Sequence, residues 1–408
     1  MPLSGCHYRR AARWLLPLLL LLLLASPLLR HRHAFLPRPP PSPHPPLPLP
    51  LPSPAITAAA AAGWPHLLPA LLHHPTPHLV VEAKNGLGNR LRALASAMAV
   101  AARLRRPLVL VWLPDLHCNC SFGALFAPPH PFALCEAAVD AKELSPRRFQ
   151  LYNYMRPEPG AVKDAPVVVD EARHLWFKSG FVMNHPFGHF RHAQAYLQQL
   201  PPVRAVADRI VASRAMVGLH IRNVFDAPRD AATQRNTTGR KALHEATREY
   251  GAEGTLQLLR WRKAGHWSNF VPKIREMVAE DEAQRREKPG APPLRFYLAA
   301  DSAEAYTNLK QLFADRLVFT ERSCPAERCD FRDCTGMLYS LVDMANLART
   351  RLILGSGWSS YSEVAAYMGG ADGRPLTMLM AGRDFGQIAR SEPQLKPPTP
   401  AAVPPRVR

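Results

Sequence analysis

Apolar segments typical of buried strands alternate along this chain with segments of helical spacing. The first such series is "HLVVEA", the turn "KNGLGN", a helical pattern over residues 90–105 and the apolar run "PLVLVW". Within the helical pattern, Leu91, Leu94, Met98 and Ala102 keep the three- or four-residue spacing of one helix face. Strand, turn, helix and strand in this order form a βαβ unit, which predicts a parallel sheet.

The same alternation returns after residue 203 and continues almost to the end of the chain. Its apolar runs are "AMVGLHI", "LRFYLAA", "RLVF", "RLIL" and "PLTML", and helical patterns separate them. Residues 115–200 are harder to interpret, because aromatic residues and histidines interrupt the pattern and "VVV" is the clearest apolar run there. The sequence predicts an α/β protein with two Rossmann-like domains, at residues 78–204 and 205–390.

The N-terminus has the features of a targeting segment. An apolar run at residues 14–29 lies between basic flanks, so we expect an uncleaved signal anchor over residues 1–36; a cleaved signal peptide is the alternative. Many of the chain's 43 prolines lie in residues 37–54. This composition predicts an extended stem over residues 37–77, and we expect residues 391–408 to be a disordered tail. The layout predicts a single-pass type II protein of the Golgi or ER membrane, with its globular part in the lumen.

The charge of the chain favours anionic partners. Its 51 basic and 32 acidic residues give a formal net charge of +19, which suits phosphate esters, acidic glycans or a membrane surface. The basic residues are scattered, and no signature of a DNA- or RNA-binding module accompanies them. We therefore expect no nucleic-acid partner.

Six of the seven cysteines lie beyond the anchor, in two clusters of three. Their even number favours disulfides, with at least one bridge between the clusters if all six pair. Zinc is the alternative, although C-x-C and C-x4-C-x4-C are not its usual spacings. Two glycosylation sequons, at Asn119 and Asn236, agree with a lumenal chain. The six cysteines are Cys118, Cys120, Cys135, Cys324, Cys329 and Cys334.

Groups that suit an anionic ligand follow the strand-like segments, and ligands of parallel sheets bind at the carboxyl ends of strands. After the first strand, the turn containing Gly86, Gly88, Asn89 and Arg90 lets the backbone approach a ligand and opens a helix with free N–H groups. The alternative is an ordinary helix cap at Asn89.

Two later strands end in charged groups. His220 and Arg222 lie on the same side of their strand, and an arginine fork fits phosphate oxygens; the alternative is a core histidine beside a surface arginine. Asp301 and Ser302 follow "FYLAA", where a carboxylate accepts from ribose or base; a helix N-cap is the alternative. Just beyond Arg222 lie two candidate catalytic bases, or solvated loop acids, Asp226 and Asp230.

The stretch "LILGSGWSSYSEV" gives the fourth strand end. Ser356, Ser359, Ser360 and Tyr361 surround the start of a helix. Hydroxyls combined with free backbone N–H groups form a cradle for phosphate. The sequence thus predicts groups that suit an anionic ligand at four strand ends.

Taken together, these four elements resemble the fucosyltransferase superfamily of α1,2-, α1,6- and protein O-fucosyltransferases and the bacterial nodulation enzyme. The family marks are a G-x-G-N turn, an H-x-R strand end, an A-T-D-S strand end and a G-x-x-x-S-S-F element. Here they are found as Gly86–Asn89, His220–Arg222, Ala299–Ser302 and Gly355–Tyr361. The resemblance covers residues 79–370.

The resemblance implies a GT-B-like fold with two Rossmann-like domains facing a cleft, GDP-fucose as co-substrate, inversion at the sugar and no metal. It implies that Arg222 binds the β-phosphate, that Asp301 holds guanine or ribose and that His220 faces the nucleotide. Ser359, Ser360 and Tyr361 would cradle the diphosphate, approached by Gly88 and Asn89 from the other domain.

Three positions depart from the family pattern: Asn223, Ala300 and Tyr361. The α1,6-type enzymes have a second arginine where this chain has Asn223, which argues against that linkage. The acceptor is expected to be a glycan or a protein hydroxyl. The alternatives are the same fold with another nucleotide sugar, and a non-catalytic, membrane-anchored lectin-like module.

Overall fold

The computed structural model describes residues 46–386 except for 157, 226–238, 325–331, 372 and 373, and for the side chains of residues 239–242. The predicted anchor, the tail and four predicted site residues lie outside these ranges, so those predictions stay open. Of the helices described, none is both long and apolar enough to cross a membrane. The four residues are Asp226, Asp230, Asn236 and Cys329.

The first sheet has five parallel strands in the described part of the chain, in the order β3-β2-β1-β5-β4. The predicted strands β1 and β2 and the predicted helix between them are confirmed, and that helix spans Leu87–Leu104. The other three strands were not predicted. The bounds are β1 Leu79–Ala83, β2 Leu108–Val111, β3 Ala133–Cys135, β4 Phe149–Asn153 and β5 His174–Ser179.

Two helices before β1 overturn part of the predicted stem. They are α1, Pro54–Ala62, and α2, Trp64–His73, and both pack on the sheet face formed by Val80, Val109 and Trp176. Alanine favours helices, and the buried positions Ile56, Ala60, Trp64, Leu67 and Leu71 follow helical spacing, which outweighs the low-complexity appearance of the segment. The globular part therefore begins by residue 54, not near residue 78.

The second sheet is also parallel, in the order β10-β9-β6-β7-β8, and all five of its strands were predicted. Two parallel sheets confirm the α/β class. The boundary predicted at residue 204 falls between the sheets and stays a prediction. The strands of the second sheet are β6 Val217–Ile221, β7 Phe296–Ala300, β8 Leu317–Val318, β9 Leu352–Ser356 and β10 Thr377–Ala381.

Helices connect the strands of both sheets. The longest, α6, is kinked at Gly251, where φ is +74°. Those after α2 are α3 Leu87–Leu104, α4 Phe190–Leu197, α5 Arg204–Ala207, α6 Gly239–Ala264, α7 Val271–Glu287, α8 Ala303–Phe313, α9 Cys334–Arg349 and α10 Ser360–Met368.

A disulfide joins Cys120 to Cys334 across 214 residues, so the predicted bridge between the two cysteine clusters is confirmed. Cys324 is disulfide-bonded as well. The prediction is wrong for Cys118 and Cys135, which are free thiols. Both are buried within clusters of apolar side chains. Within the described ranges, no group of His, Cys, Asp and Glu has the arrangement of a metal site.

Two buried histidines tie α2 to the first sheet. The His78 backbone N–H donates to His174 Nδ1 at 3.0 Å, and His174 shares a further hydrogen bond with the backbone of Leu71. Burial lowers the pKa of each imidazole to about 4. Both side chains are therefore neutral at pH 7, although an unfolded chain would protonate them near pH 6.5.

We expect acid to destabilise the protein through this pair. Between pH 6.5 and 4 the unfolded chain binds more protons than the folded one, so the unfolding free energy falls as pH falls. The expected loss from pH 7 to pH 4 is about 3 kcal/mol for each of the two histidines, measured by urea unfolding at several pH values. His174→Gln should flatten the pH dependence, whereas exposed His73→Gln should not. Equal pH dependence in all three proteins would contradict the assignment.

Candidate functional site

The predicted strand ends come together at the carboxyl edge of the second sheet. Strands β9, β6 and β7 are adjacent, so the residues that end or follow them are neighbours. The Ser356 hydroxyl at the end of β9 donates to the His220 carbonyl oxygen at 3.0 Å and accepts the Arg222 backbone N–H at 2.9 Å. Ser356 is buried and links two strands, which makes it a structural part of the site.

Asp301 holds the segment that carries Arg222. Its carboxylate accepts the backbone N–H groups of Asn223 and Val224, each at 3.1 Å. The Arg222 Nη1 atom lies 3.4 Å from Asp301 Oδ2, and about a quarter of the arginine side chain is exposed. Asp301 thereby positions the guanidinium while leaving part of it open to a ligand.

His220 and Tyr361 pack together behind Arg222. Their rings are stacked with centroids 4.9 Å apart, and the Tyr361 hydroxyl donates to the Ser340 carbonyl oxygen. Burial, together with Arg222, lowers the pKa of His220 to about 3, so this imidazole is neutral. Burial also raises the pKa of the Tyr361 phenol. The two rings therefore form a stacked, uncharged pair close to the Arg222 guanidinium.

Gly88, in the first turn of α3, faces the start of α10. A Cβ placed on Gly88 would lie 3.0 Å from Ser360 Oγ and 3.0 Å from the Tyr361 backbone nitrogen, so a side chain there would crowd this approach. Ser359 is the N-cap residue of α10, and its side chain makes no capping hydrogen bond. First-turn N–H groups lack partners within a helix, so this end of α10 attracts anions.

A second arginine, Arg262 on α6, faces the same region and was not predicted from the sequence. Its guanidinium donates to the carbonyl oxygens of Gly357 and Trp358 at 3.4 and 3.5 Å, and its buried Nε has no hydrogen-bond partner. Burial and the neighbouring Arg222 lower the pKa of Arg262 to about 9. A bound anion would counter the charge of the two arginines, and it would offer a hydrogen-bond partner to the Arg262 Nε.

Packing of α6 on the loop after β9 brings Arg262 into place. Gly357 allows this approach because a Cβ there would overlap the ring of Trp261. The available signal was the arginine beside Trp261, but its relation to the strand ends depends on tertiary packing.

Three predicted ligand residues have structural roles here. Arg90 is fully buried, with its guanidinium 2.7 Å from Asp115 Oδ2 and over the ring of Trp112, which corrects its prediction as a ligand-facing side chain. Ser302 caps α8 by accepting the Ala305 N–H at 3.3 Å. Asn89 Oδ1 accepts from Arg92 at 2.9 Å, and the N-cap of α3 is Gly86 rather than Asn89.

A buried polar network supports the site from behind. Asp343 on α9 accepts from the Tyr297 hydroxyl at 2.7 Å and from Arg322 Nη2 at 2.6 Å. Arg322 also lies 3.3 Å from the Tyr306 hydroxyl, which accepts the Ala300 N–H at 3.1 Å. The network therefore reaches the residue immediately before Asp301.

The fold and site define an α/β protein with two parallel sheets and a cationic, anion-compatible edge. No family model matches the chain, and no curated protein matches it. Solved structures do match. NodZ α-1,6-fucosyltransferase soaked with GDP-fucose is 16% identical with a TM-score of 0.41, over 72% of this chain and 92% of NodZ.

Two further solved structures are similar to the chain. POFUT1 in complex with GDP is 14% identical with a TM-score of 0.43, over 76% of this chain and 99% of POFUT1. A mutant of Arabidopsis thaliana FUT1 with GDP is 14% identical with a TM-score of 0.40, over 81% of this chain and 80% of FUT1. Because identities and TM-scores are low, the functional proposal rests on the residues of the site.

Proposed function

We propose that the protein is a glycosyltransferase that moves fucose from GDP-fucose to a hydroxyl of a glycan or protein acceptor, with inversion at the sugar. The observation that carries the proposal is the convergence of Arg222 and Arg262 beside the start of α10. Two guanidinium groups close enough to lower the pKa of one of them suit a doubly charged ligand such as a diphosphate.

The arrangement can stabilise the departing nucleotide. As the bond between the anomeric carbon and the diphosphate breaks, negative charge accumulates on the β-phosphate. Arg222, Arg262 and the first N–H groups of α10 are donors fixed in place before the reaction, which is how preorganised sites lower a barrier. In this proposal protein groups supply the charge stabilisation, and no metal is invoked.

The nucleoside part of the donor has a candidate location beside these groups. We propose that Asp301 binds the ribose or the base, and that the stacked rings of His220 and Tyr361 face the nucleotide. Gly88 lets the start of α3 pack closely against Ser360 and Tyr361, next to this candidate location. We further propose a lumenal location in the Golgi or ER, behind the N-terminal anchor, with Asn119 and Asn236 as glycosylation sites.

We expect GDP to stabilise the protein against heat. A ligand present at about 100 times its Kd adds about 2.7 kcal/mol to the unfolding free energy, equivalent to several degrees of Tm. Thermal unfolding with GDP, UDP and CMP should show the largest shift with GDP. A non-catalytic module that does not bind nucleotide predicts no shift with any of them.

A donor panel tests the sugar. GDP-fucose, GDP-mannose and UDP-sugars are incubated with the protein and with glycan and peptide arrays, and release of the nucleotide is measured. The proposal predicts release from GDP-fucose above the others. Preferential use of a different donor would identify a transferase of this fold with another specificity and would contradict the fucose assignment.

A further inference from the structure

A cavity of about 290 Å³ opens at the carboxyl edge of the first sheet, beside the Gly88 turn. Its volume is at the lower end of the range of ligand pockets, about 300–1,000 Å³. Residues after β1, β2, β4 and β5 line it, together with one residue from the second half of the chain, Glu249 on α6. Three carboxylates face the cavity: Asp115, Glu158 and Glu249.

Two of these carboxylates are paired with cations. Asp115 Oδ2 lies 2.7 Å from the Arg90 guanidinium and 3.5 Å from Lys84 Nζ. Glu158 Oε2 lies 2.8 Å from Lys178 Nζ and accepts from the Asn153 amide at 2.9 Å. A carboxylate held by a close cation is a weak proton acceptor, because the cation stabilises its charged form.

Glu249 has different neighbours. Its Oε1 accepts from the Asn85 amide at 3.3 Å, and its carboxylate also shares a hydrogen bond with Tyr250. Burial raises the pKa of Glu249, against the opposing effects of Lys163 and Arg332. Asn85 is in the left-handed region at φ +68°, a conformation that asparagine tolerates.

Glu249 also lies close to the candidate diphosphate cradle. Asn85, its hydrogen-bond partner, is three residues before Gly88, and a chain of that length spans at most about 10 Å. Gly88 in turn faces Ser360. On the other side, the ring of Tyr250 lies 6.2 Å from that of Trp358, two residues before Ser360. A donor sugar between the cradle and Glu249 would therefore lie within reach of both.

We propose that Glu249 is the general base of the transfer and that the acceptor hydroxyl enters this cavity. The acceptor proton moves to a Glu249 carboxylate oxygen, and the acceptor oxygen forms the new bond to the anomeric carbon. The bond from that carbon to the diphosphate breaks, and its electron pair leaves with GDP. Asn85 and Tyr250 are positioning residues that orient the carboxylate. This inference rests on the proposed fucosyl transfer.

The test compares wild-type protein with Glu249→Gln, which keeps the shape of the side chain but removes the base. GDP release from GDP-fucose is measured with water as acceptor and with acceptors found on the arrays. We expect kcat to fall about 10²–10⁴-fold, the usual contribution of a general base, while KM for GDP-fucose and the GDP thermal shift are unchanged. Glu253→Gln, four residues later and exposed, is the matched control and should retain full activity.

A pH profile separates a catalytic from a structural role. Wild-type activity should rise with pH through the raised pKa of Glu249, and this ascending limb should be absent from the residual activity of Glu249→Gln. Tyr250→Phe should shift the limb and keep most of the activity. If Glu249→Gln transfers fucose at the wild-type rate, the base assignment is wrong. If wild-type protein neither binds GDP nor consumes GDP-fucose, the proposed function itself fails.

Discussion

Replacing Arg222 with alanine is expected to lower the rate of GDP-fucose consumption by about 10²–10³-fold, the cost of losing one preorganised donor to developing charge. The Arg222 guanidinium is held 3.4 Å from Asp301 and is partly exposed at the strand edge. Its loss removes charge stabilisation without emptying a core position. The measurement is kcat from GDP release, together with Tm.

Arg351→Ala provides the control for that variant. Arg351 directly precedes β9, at the opposite end of the strand from Ser356, and its side chain is exposed. We expect normal activity from this control and a nearly unchanged Tm in both variants. Near wild-type turnover by Arg222→Ala would show that the diphosphate binds elsewhere.

Replacing Asp343 with alanine is expected to lower the unfolding free energy by about 3 kcal/mol. The carboxylate is almost completely buried and holds Arg322 at 2.6 Å and Tyr297 at 2.7 Å. Its removal leaves a half-buried guanidinium without its counter-charge. Urea unfolding measures the loss, and GDP affinity should weaken as well because the network extends to the residue before Asp301.

The control for this effect is Asp315→Ala, an exposed aspartate in the same half of the chain. It should change the unfolding free energy by less than about 0.5 kcal/mol, as most surface substitutions do. If Asp343→Ala were as stable as the control, the network would not contribute to stability. A loss of stability with unchanged GDP affinity would separate the network from the site.

The second sheet could be predicted because each of its strands is a short apolar run that ends at a polar or glycine residue. In the first sheet, β5 carries the buried, neutral His174 and the half-buried Lys178, and β4 alternates apolar and polar residues at the edge. Neither forms a continuous apolar run. The sequence does not show that burial keeps His174 neutral. It also does not show that Lys178 pairs with the distant Glu158.

The residues of the candidate site that lie at strand ends could be predicted, and those on a helix could not. Arg222, Asp301 and the serines before α10 could be found because parallel strands place their carboxyl ends together. Arg262 and Glu249 lie within a helix, far in sequence from any strand end. Only the packing of α6 against Gly357 and Asn85 brings them to the site.

The two helices before β1 also determine where the chain can be shortened for expression. A version beginning at residue 78 would expose the sheet face of Val80, Val109 and Trp176 to water, and a contiguous apolar face of this kind promotes aggregation. Beginning upstream of Ser53, whose side chain accepts the Ile56 N–H that opens α1, retains the cover. Soluble protein for the enzymatic tests is thus best produced with the alanine-rich segment included.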